Sequence, residues 1–383
     1  MTTVSESPMA DRTDPRHRIA RLRLRNQRLA GPLTGAAALR TAADVVAWMG
    51  AVQAQEYPYA RWSVGQRANG LLDEAAVEAA LARGDIVRTH VMRDTWHFVT
   101  RSDARWLLRL TGPRIQARNG TQYRKLRLDS AQLAKTDALL ADVLSGGVQL
   151  TRRALADELA QRGLVADGPR LAYILMHAEL EEVICSGARQ GKQNTYALFD
   201  DRVPPGASFD RDAALAEAVL RFFTSHGPAT VKDFTWWSYL TVADARRGLE
   251  LVGDALESTV IDGRTYWSAA NDGGTASRRA APRAHLLQVY DEYVIAYRES
   301  RDLLDLDHLA GRLPGGQVMF LHAVILDGQV IGHWRRQITK TALIAETQLA
   351  RALSDAEATA VEEAVARHGA FVGLPADWVR TNP

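Results

Sequence analysis

The sequence predicts an α+β fold of three tandem winged-helix units followed by a β-rich C-terminal region. Helical runs followed by strand, turn and strand recur three times before residue 271. The recurrence spacing is roughly 60–90 residues, longer than the roughly 20–50 of a solenoid repeat. Beyond it, the pattern shifts toward alternating, strand-like apolar residues. The chain has 383 residues, 46% hydrophobic and 24% charged, enough to bury several cores. A single α+β domain whose hairpins recur by coincidence is the alternative organisation.

Residues 1–18 read as a disordered basic N-terminus: polar, with Pro8 and Pro15 and no apolar period. They lack the apolar core of a secretory signal. The first unit, 19–130, has helices over 43–49, with Thr41 or Asp44 near its start, and over 73–83, with Leu72, Val77 and Leu81 on one side. The run IVRTHVMRDTWHFVT (86–100) then turns strand-like. Short helices followed by a hairpin are the winged-helix pattern, the hairpin being the wing.

The second unit, 131–205, reads as a helix in VQLTRRALADELAQRGL, another over 169–180, and a hairpin in VICSGARQGKQNTYALF. The third, 206–275, has helices over 212–225, 230–240 and 241–251, with a break at Gly227-Pro228. Its hairpin, STVIDGRTYWS, carries the two-residue turn signal Asp262-Gly263. NDGGTASRRAAPRA (271–284) is a linker. In the C-terminal region, 281–383, LLQVYDEYVIAY and VMFLHAVILDGQVIGHWRRQIT read as strands with a turn at Asp327-Gly328, and two closing helices follow over 343–353 and 355–368.

Composition excludes several classes. No window approaches the roughly 18 consecutive apolar residues of a membrane span. One cysteine, Cys185, excludes an intramolecular disulfide and a multi-cysteine zinc module, and fits a reducing cytosol, so a cytoplasmic location is expected. HExxH, GxxxxGK[ST] and GxSxG are absent and the ten histidines are scattered, so no metal and no cofactor is expected. The net charge is only +2, but lysine occurs just at 125, 135, 192, 232 and 340, so the basic residues are mostly arginine. A GC-rich coding bias accounts for much of that excess. Two clusters stand out locally: Arg16, Arg18, Arg21, Arg23, Arg25 and Arg28, and Arg114, Arg118, Arg124, Lys125 and Arg127. Such patches are compatible with nucleic acid without requiring it.

Two segments could carry chemistry. In Val52-Gln53-Ala54-Gln55-Glu56-Tyr57-Pro58, Pro58 disfavours helical geometry at Tyr57, so the preceding helix should end near Gln55 or Glu56. Gln53 and Gln55, two apart, can then present both carboxamides to one cleft; two ordinary surface glutamines are the alternative. In the first hairpin, a turn at Arg93-Asp94 would pair Met92 with Thr95, Val91 with Trp96 and His90 with His97. Both imidazoles would share a face, with Arg93 at the tip to reach a groove or phosphate. His90, Arg93, Thr95 and His97, with Arg61, are the candidate DNA contacts; a plain hairpin with locally bonded histidines is the alternative.

The stretches AVQAQEYPYARWSVGQR and RTHVMRDTWHFV resemble the AlkZ-like family of winged-helix DNA glycosylases, the family of azinomycin resistance. LLQVYDEYVIAYRESRDLLD and VILDGQVIGHWRR are also similar to it, so the resemblance runs from about residue 20 to the C-terminus. Gln53 and Gln55 match its glutamine–x–glutamine type; some relatives have glutamine–x–aspartate. One departure is Asp94, where many members have glycine. The resemblance implies three winged-helix units in a C shape around DNA and a monofunctional glycosylase. Its partner would be double-stranded DNA carrying N7-alkylpurine lesions or interstrand crosslinks, handled by a monomer. It also implies self-resistance to a DNA-alkylating antibiotic.

Two amides suffice for such a reaction if the leaving group is already cationic. An N7-alkylguanine departs neutral, so the general acid of ordinary glycosidases is dispensable. Gln53 and Gln55 would then position the attacking water, Gln55 also fixing Gln53 or the sugar. A transcription regulator is the competing class, since winged helices serve regulators as readily; against it stand dissimilar tandem units and no dimerisation heptad. A non-catalytic binder of the adduct is a third.

Overall fold

The computed structural model describes residues 14–30, 38–70, 72–206, 208–270, 281–313 and 316–381. The chain is α+β, and along it three helix-and-hairpin units precede a five-stranded sheet. Most of the 271–284 linker, and residues 1–13 of the N-terminal segment, lie outside the described residues. Among the described residues no helix is long and apolar enough to cross a membrane.

Helix α1 (Pro15–Asn26) begins earlier than the sequence suggested, because Asp14 caps it and Pro15 sits where a missing N–H costs nothing. Its Arg23 is no surface cation. The guanidinium is fully buried, donates to Pro228 O (2.9 Å) and Ser300 O (3.1 Å), and lies 3.8 Å from the Tyr297 ring centroid. Helix α2 (Ala42–Met49) opens on a capping box of Thr41 and Asp44. It is followed by β1 (Val52–Gln53), α3 (Tyr57–Gly65), α4 (Glu74–Arg83), β2 (Ile86–Met92), β3 (Thr95–Thr100) and the long α5 (Ala104–Lys125).

The second unit comprises α6 (Ser130–Val143), β4 (Leu150–Thr151), α7 (Arg152–Gln161), α8 (Gly168–Leu180), β5 (Ile184–Ser186), β6 (Thr195–Leu198) and the single turn α9 (Phe199–Arg202). In the third, α10 (Arg211–Ser225), α11 (Val231–Ser238) and α12 (Val242–Val252) precede β7 (Leu256–Ile261) and β8 (Arg264–Ala269). Capping boxes Thr230/Asp233 and Thr241/Asp244 start α11 and α12. Gly248 lets α12 lie against α10, where an added Cβ would collide with Leu215 and Val219.

The C-terminal region departs from expectation twice. LLQVYDEYVIAY is not one strand: β9 (Ala284–Leu286) stops early, and a buried turn of helix, α13 (Glu292–Ile295), follows. Strands β10 (Ala323–Leu326) and β11 (Gln329–Ile338) turn at Asp327-Gly328 as expected. The expected helix over 343–353 is instead β12 (Leu343–Leu349), paired with β11 and with β13 (Ala376–Thr381). Leu343, Ala345, Thr347 and Leu349 are buried in alternation, a period of two that outweighs the helical propensity of Ala, Leu, Glu and Gln. Helix α14 (Asp355–Val372) bridges β12 and β13, and the sheet runs β13-β12-β11-β10-β9.

Candidate active site

Helix α2 ends at Met49, short of the two glutamines, and Gly50 reverses the chain at φ +75°. Pro58 therefore does not end the preceding helix; it lies in the first turn of the next, α3. Between the helices the backbone is extended. Val52 and Gln53 pair with Phe98 and His97 of β3, and Ala54 N–H donates to Trp96 O (2.7 Å). From the other edge, Arg88 Nε donates to Ala54 O (3.0 Å). Gln53 is 3% exposed, and its carboxamide oxygen accepts the N–H of Gln55 (3.2 Å). That bond folds the turn and leaves the Gln55 side chain exposed. The two glutamines thus divide the work: one shapes the turn, the other reaches out from it.

The hairpin β2–β3 turns at Arg93-Asp94 and pairs Met92 with Thr95, as expected, but a bulge at Val91 shifts the rest. His90 lies opposite Trp96, and His97 opposite Thr89. The two histidines therefore face opposite sides of the sheet. At the bulge Thr111 of α5 donates its hydroxyl to Val91 O. Arg93, at φ +55°, takes the left-handed turn position, so Asp94 needs no glycine.

The candidate DNA contacts are mostly inside. His90 is 3% exposed and bonds through Nδ1 to Glu179 of α8, which also accepts His90 N–H (3.1 Å). His97 is fully buried, with Nδ1 on Thr95 O (3.0 Å) and Nε2 on Arg93 Nη2 (3.2 Å). Burial, then the Arg93 charge, holds its pKa well below the usual imidazole value, so it is neutral with the proton on Nδ1. Arg93 itself is buried, and Thr95 half-buried. Arg61 is buried against Glu74 (2.9 Å) and Glu78 (3.0 Å). Cys185 is an inert core thiol, pushed up to about 12 by burial.

A family model described as DNA glycosylase AlkZ-like matches residues 46–371, which contain both glutamines and the hairpin. The chain belongs to the AlkZ-like DNA glycosylase family. Its structure is also similar to that of the Streptomyces sahachiroi DNA glycosylase AlkZ, with a TM-score of 0.75 at 22% sequence identity. That match covers 95% of this chain and 99% of the other, a likeness of fold. Among curated proteins none matches.

In this AlkZ-like chain two further groups join the site that sequence reasoning missed. Glu292 of α13 is fully buried, and its Oε1 accepts the backbone N–H of Gln53 (2.7 Å). Its Oε2 accepts from Trp237 Nε1 (3.1 Å) and lies 3.5 Å from His226 Nε2. A carboxylate 239 positions away in sequence thus anchors the strand carrying the first glutamine. The second group surrounds the half-buried indole of Trp236: Arg298, Arg93 and Arg301 lie 5.3, 5.8 and 6.0 Å from its centroid. Arg93 Nε and Arg301 Nη2 are buried without a hydrogen-bond partner among the described residues. On α5, Arg114, Arg118, Arg124 and Lys125 are exposed, as the basic run in sequence suggested.

Proposed function

We propose that this glycosylase hydrolyses the N-glycosidic bond of N7-alkylpurines in double-stranded DNA, bulky N7-alkylguanines above all. It acts monofunctionally, as a monomer, without metal or cofactor, in the cytoplasm. In this reading the three helix-and-hairpin units are winged helices embracing the duplex. Release of the modified base from crosslinked guanines unhooks the two strands and protects the cell from a DNA-alkylating natural product.

The observation that carries the reading is the turn at Gln53-Ala54-Gln55, pinned by Glu292, Trp96 and Arg88 with the Gln55 carboxamide left exposed. A carboxamide accepts and donates hydrogen bonds but takes no proton at neutral pH, so it holds a water in line without acting as a base. The sugar passes through an oxocarbenium-like state, and a cationic purine leaves as a neutral base. Positioning and electrostatics then remain for the protein to supply. Gln55 presents the water, and Gln53 fixes the turn beneath it. Arg298 beside Trp236, with the exposed arginines of α5, supplies the DNA-facing cations, while the buried Arg93 backs the indole from inside. His90, Arg61, Thr95 and His97 act from within, as the frame of the hairpin and the α3–α4 corner.

The test pairs a duplex containing N7-methylguanine with a guanine–guanine crosslinked duplex, each followed by alkaline cleavage at abasic sites. Both should yield abasic product, and uracil DNA none. Gln53→Ala/Gln55→Ala should keep DNA affinity and lose roughly 10²–10³ in excision rate. Robust uracil release, or full turnover by the double variant, refutes the mechanism. Lesion binding with no abasic product would mark a passive adduct binder; tight binding to one pseudo-palindromic sequence would mark a regulator.

A further inference from the structure

A cleft of about 650 Å³ opens where the first hairpin meets the second unit. Arg88 and Trp96 form its hairpin wall; Arg152, Leu171 and Tyr196 face them. Both hairpin residues are fastened to Ala54, which stands between Gln53 and Gln55: Trp96 O accepts its N–H (2.7 Å), and Arg88 Nε donates to its carbonyl (3.0 Å). A group lodged here would be coupled to the turn that carries the exposed carboxamide.

Arg88 is 9% exposed, and its guanidinium carbon sits 4.2 Å from the Trp96 ring centroid. Its Nε is used, but neither Nη has an acceptor among the described residues. Those two amino groups are not enclosed, so they are free to donate to an oxygen that enters the cleft. Two aromatic rings and Leu171 offer the rest of the lining an apolar, flat-walled character, in a volume ordinary for a small-molecule site. The lining sets Arg88, Arg152 and Arg153 against Asp167 and Glu179, so its charges nearly cancel, and Glu179 is already bonded to His90 and Trp96. The chemistry that fits is a flat aromatic body with a neutral carbonyl oxygen on its edge.

We propose that this cleft receives the N7 substituent of a bulky adduct, an aromatic group lying against Trp96 and Tyr196 whose carbonyl oxygen accepts from Arg88. The proposal rests on the glycosylase reading above and deepens it by assigning the substituent a place. Excision still occurs at the glutamines; the cleft holds the lesion in register.

Three duplexes, each with one lesion, test it: N7-methylguanine, N7-(naphthalenylmethyl)guanine and N7-(coumarin-4-ylmethyl)guanine. Coumarin matches naphthalene in size but carries a lactone carbonyl. Single-turnover excision should show half-saturation about tenfold lower for the coumarin lesion than for the methyl lesion. Ala156→Trp, at a half-buried position on the cleft wall, should raise half-saturation for both aromatic lesions toward the methyl value. Arg88→Gln should erase the preference for coumarin over naphthalene, each rate being divided by the same variant's rate on N7-methylguanine so that disturbance through Ala54 cancels.

Equal losses on all three lesions would overturn the proposal, since the cleft would then serve the extruded purine or only the frame. A uniform loss with the salt slope reduced by about one would overturn it in favour of a phosphate contact. Should the unaltered protein release no lesion at all, the glycosylase reading itself fails. The cleft is decided separately by free coumarin in ligand-observed NMR. Binding on the order of 1 mM, lost in Ala156→Trp, supports the site; no binding overturns it.

Discussion

Hairpins β2–β3 and β7–β8 share antiparallel pairing and a two-residue turn, and they have opposite fates. Every residue of β2 is buried: α5 lies over it through Thr111, α8 through Glu179, and β5 through Ser186. Strand β7 has Glu257, Ser258, Thr259 and Val260 exposed in succession; it is tied inward only at its ends, by Leu256 and Ile261, and β8 by Tyr266 and the bridge from Trp267 to Ala229. The same local grammar therefore yields a structural centrepiece in one unit and a free edge in another. What differs is whether neighbouring units supply partners for the outward face. In the first unit they do, and the hairpin became the platform on which β1 and its glutamine are mounted.

The sharpest break of that contrast is Glu179→Ala. It would leave His90 and Trp96 Nε1 without their carboxylate inside the hairpin wall. Leaving buried donors without their acceptor costs about 1–3 kcal/mol, read as a shift in denaturant midpoint at constant slope. A loss below about 1 kcal/mol would mean that the hairpin is held by its apolar contacts alone.

How much of this was legible depends on sequence distance. Helices α10 to α12 lie within one or two residues of their expected bounds, because capping boxes and apolar period are local signals. The turn at Asp262-Gly263 is equally local. Strand β12 was illegible as a strand: its residues favour helix, and its pairing with β11 and β13 is decided elsewhere in the chain. Within the site, Gln53 and Gln55 were singled out by resemblance, while their spacing alone fitted two surface amides. Glu292 had no local signature, for its role exists only once α13 lies beneath β1. The burial of His90 and His97 likewise follows from packing by α5 and α8 that no pattern within the hairpin records.

The next effect is catalytic. Glu292→Gln keeps the shape of the anchor but places an N–H donor where Gln53 N–H or Trp237 Nε1–H needs an acceptor. The displaced β1 should lower kcat for N7-methylguanine by about 10–100-fold, with KM little altered, because a small misplacement of the reacting groups suffices. A loss confined to stability, with kcat intact in the folded fraction, would show that Glu292 supports the core and not the turn.

Acid separates the hairpins more gently. Folding depresses the pKa of His97 well below its usual value and that of His322 to about 4, mainly through burial. The unfolded chain therefore takes up protons first. Stability is complete above about pH 6.5 and declines as pH falls toward the folded-state pKa values, by at most about 1.4 kcal/mol per pH unit for each histidine. His97→Gln should flatten the slope of stability between pH 7 and pH 5. Hairpin β7–β8 contains no histidine and should contribute nothing to it.

The smallest expected effect lies on that second hairpin. Val260 is 66% exposed, beside the turn and on the outer strand, with its apolar surface in water. Val260→Thr keeps the β-branched shape that suits an extended strand while adding a hydroxyl that water can satisfy. Stability should change by less than about 0.5 kcal/mol, and excision not at all. A loss above about 1 kcal/mol would place an unrecognised partner over β7 and erase the contrast with β2. Reduced DNA affinity at unchanged stability would instead make the exposed edge a contact with the duplex, giving the third hairpin the outward role that the first one lacks.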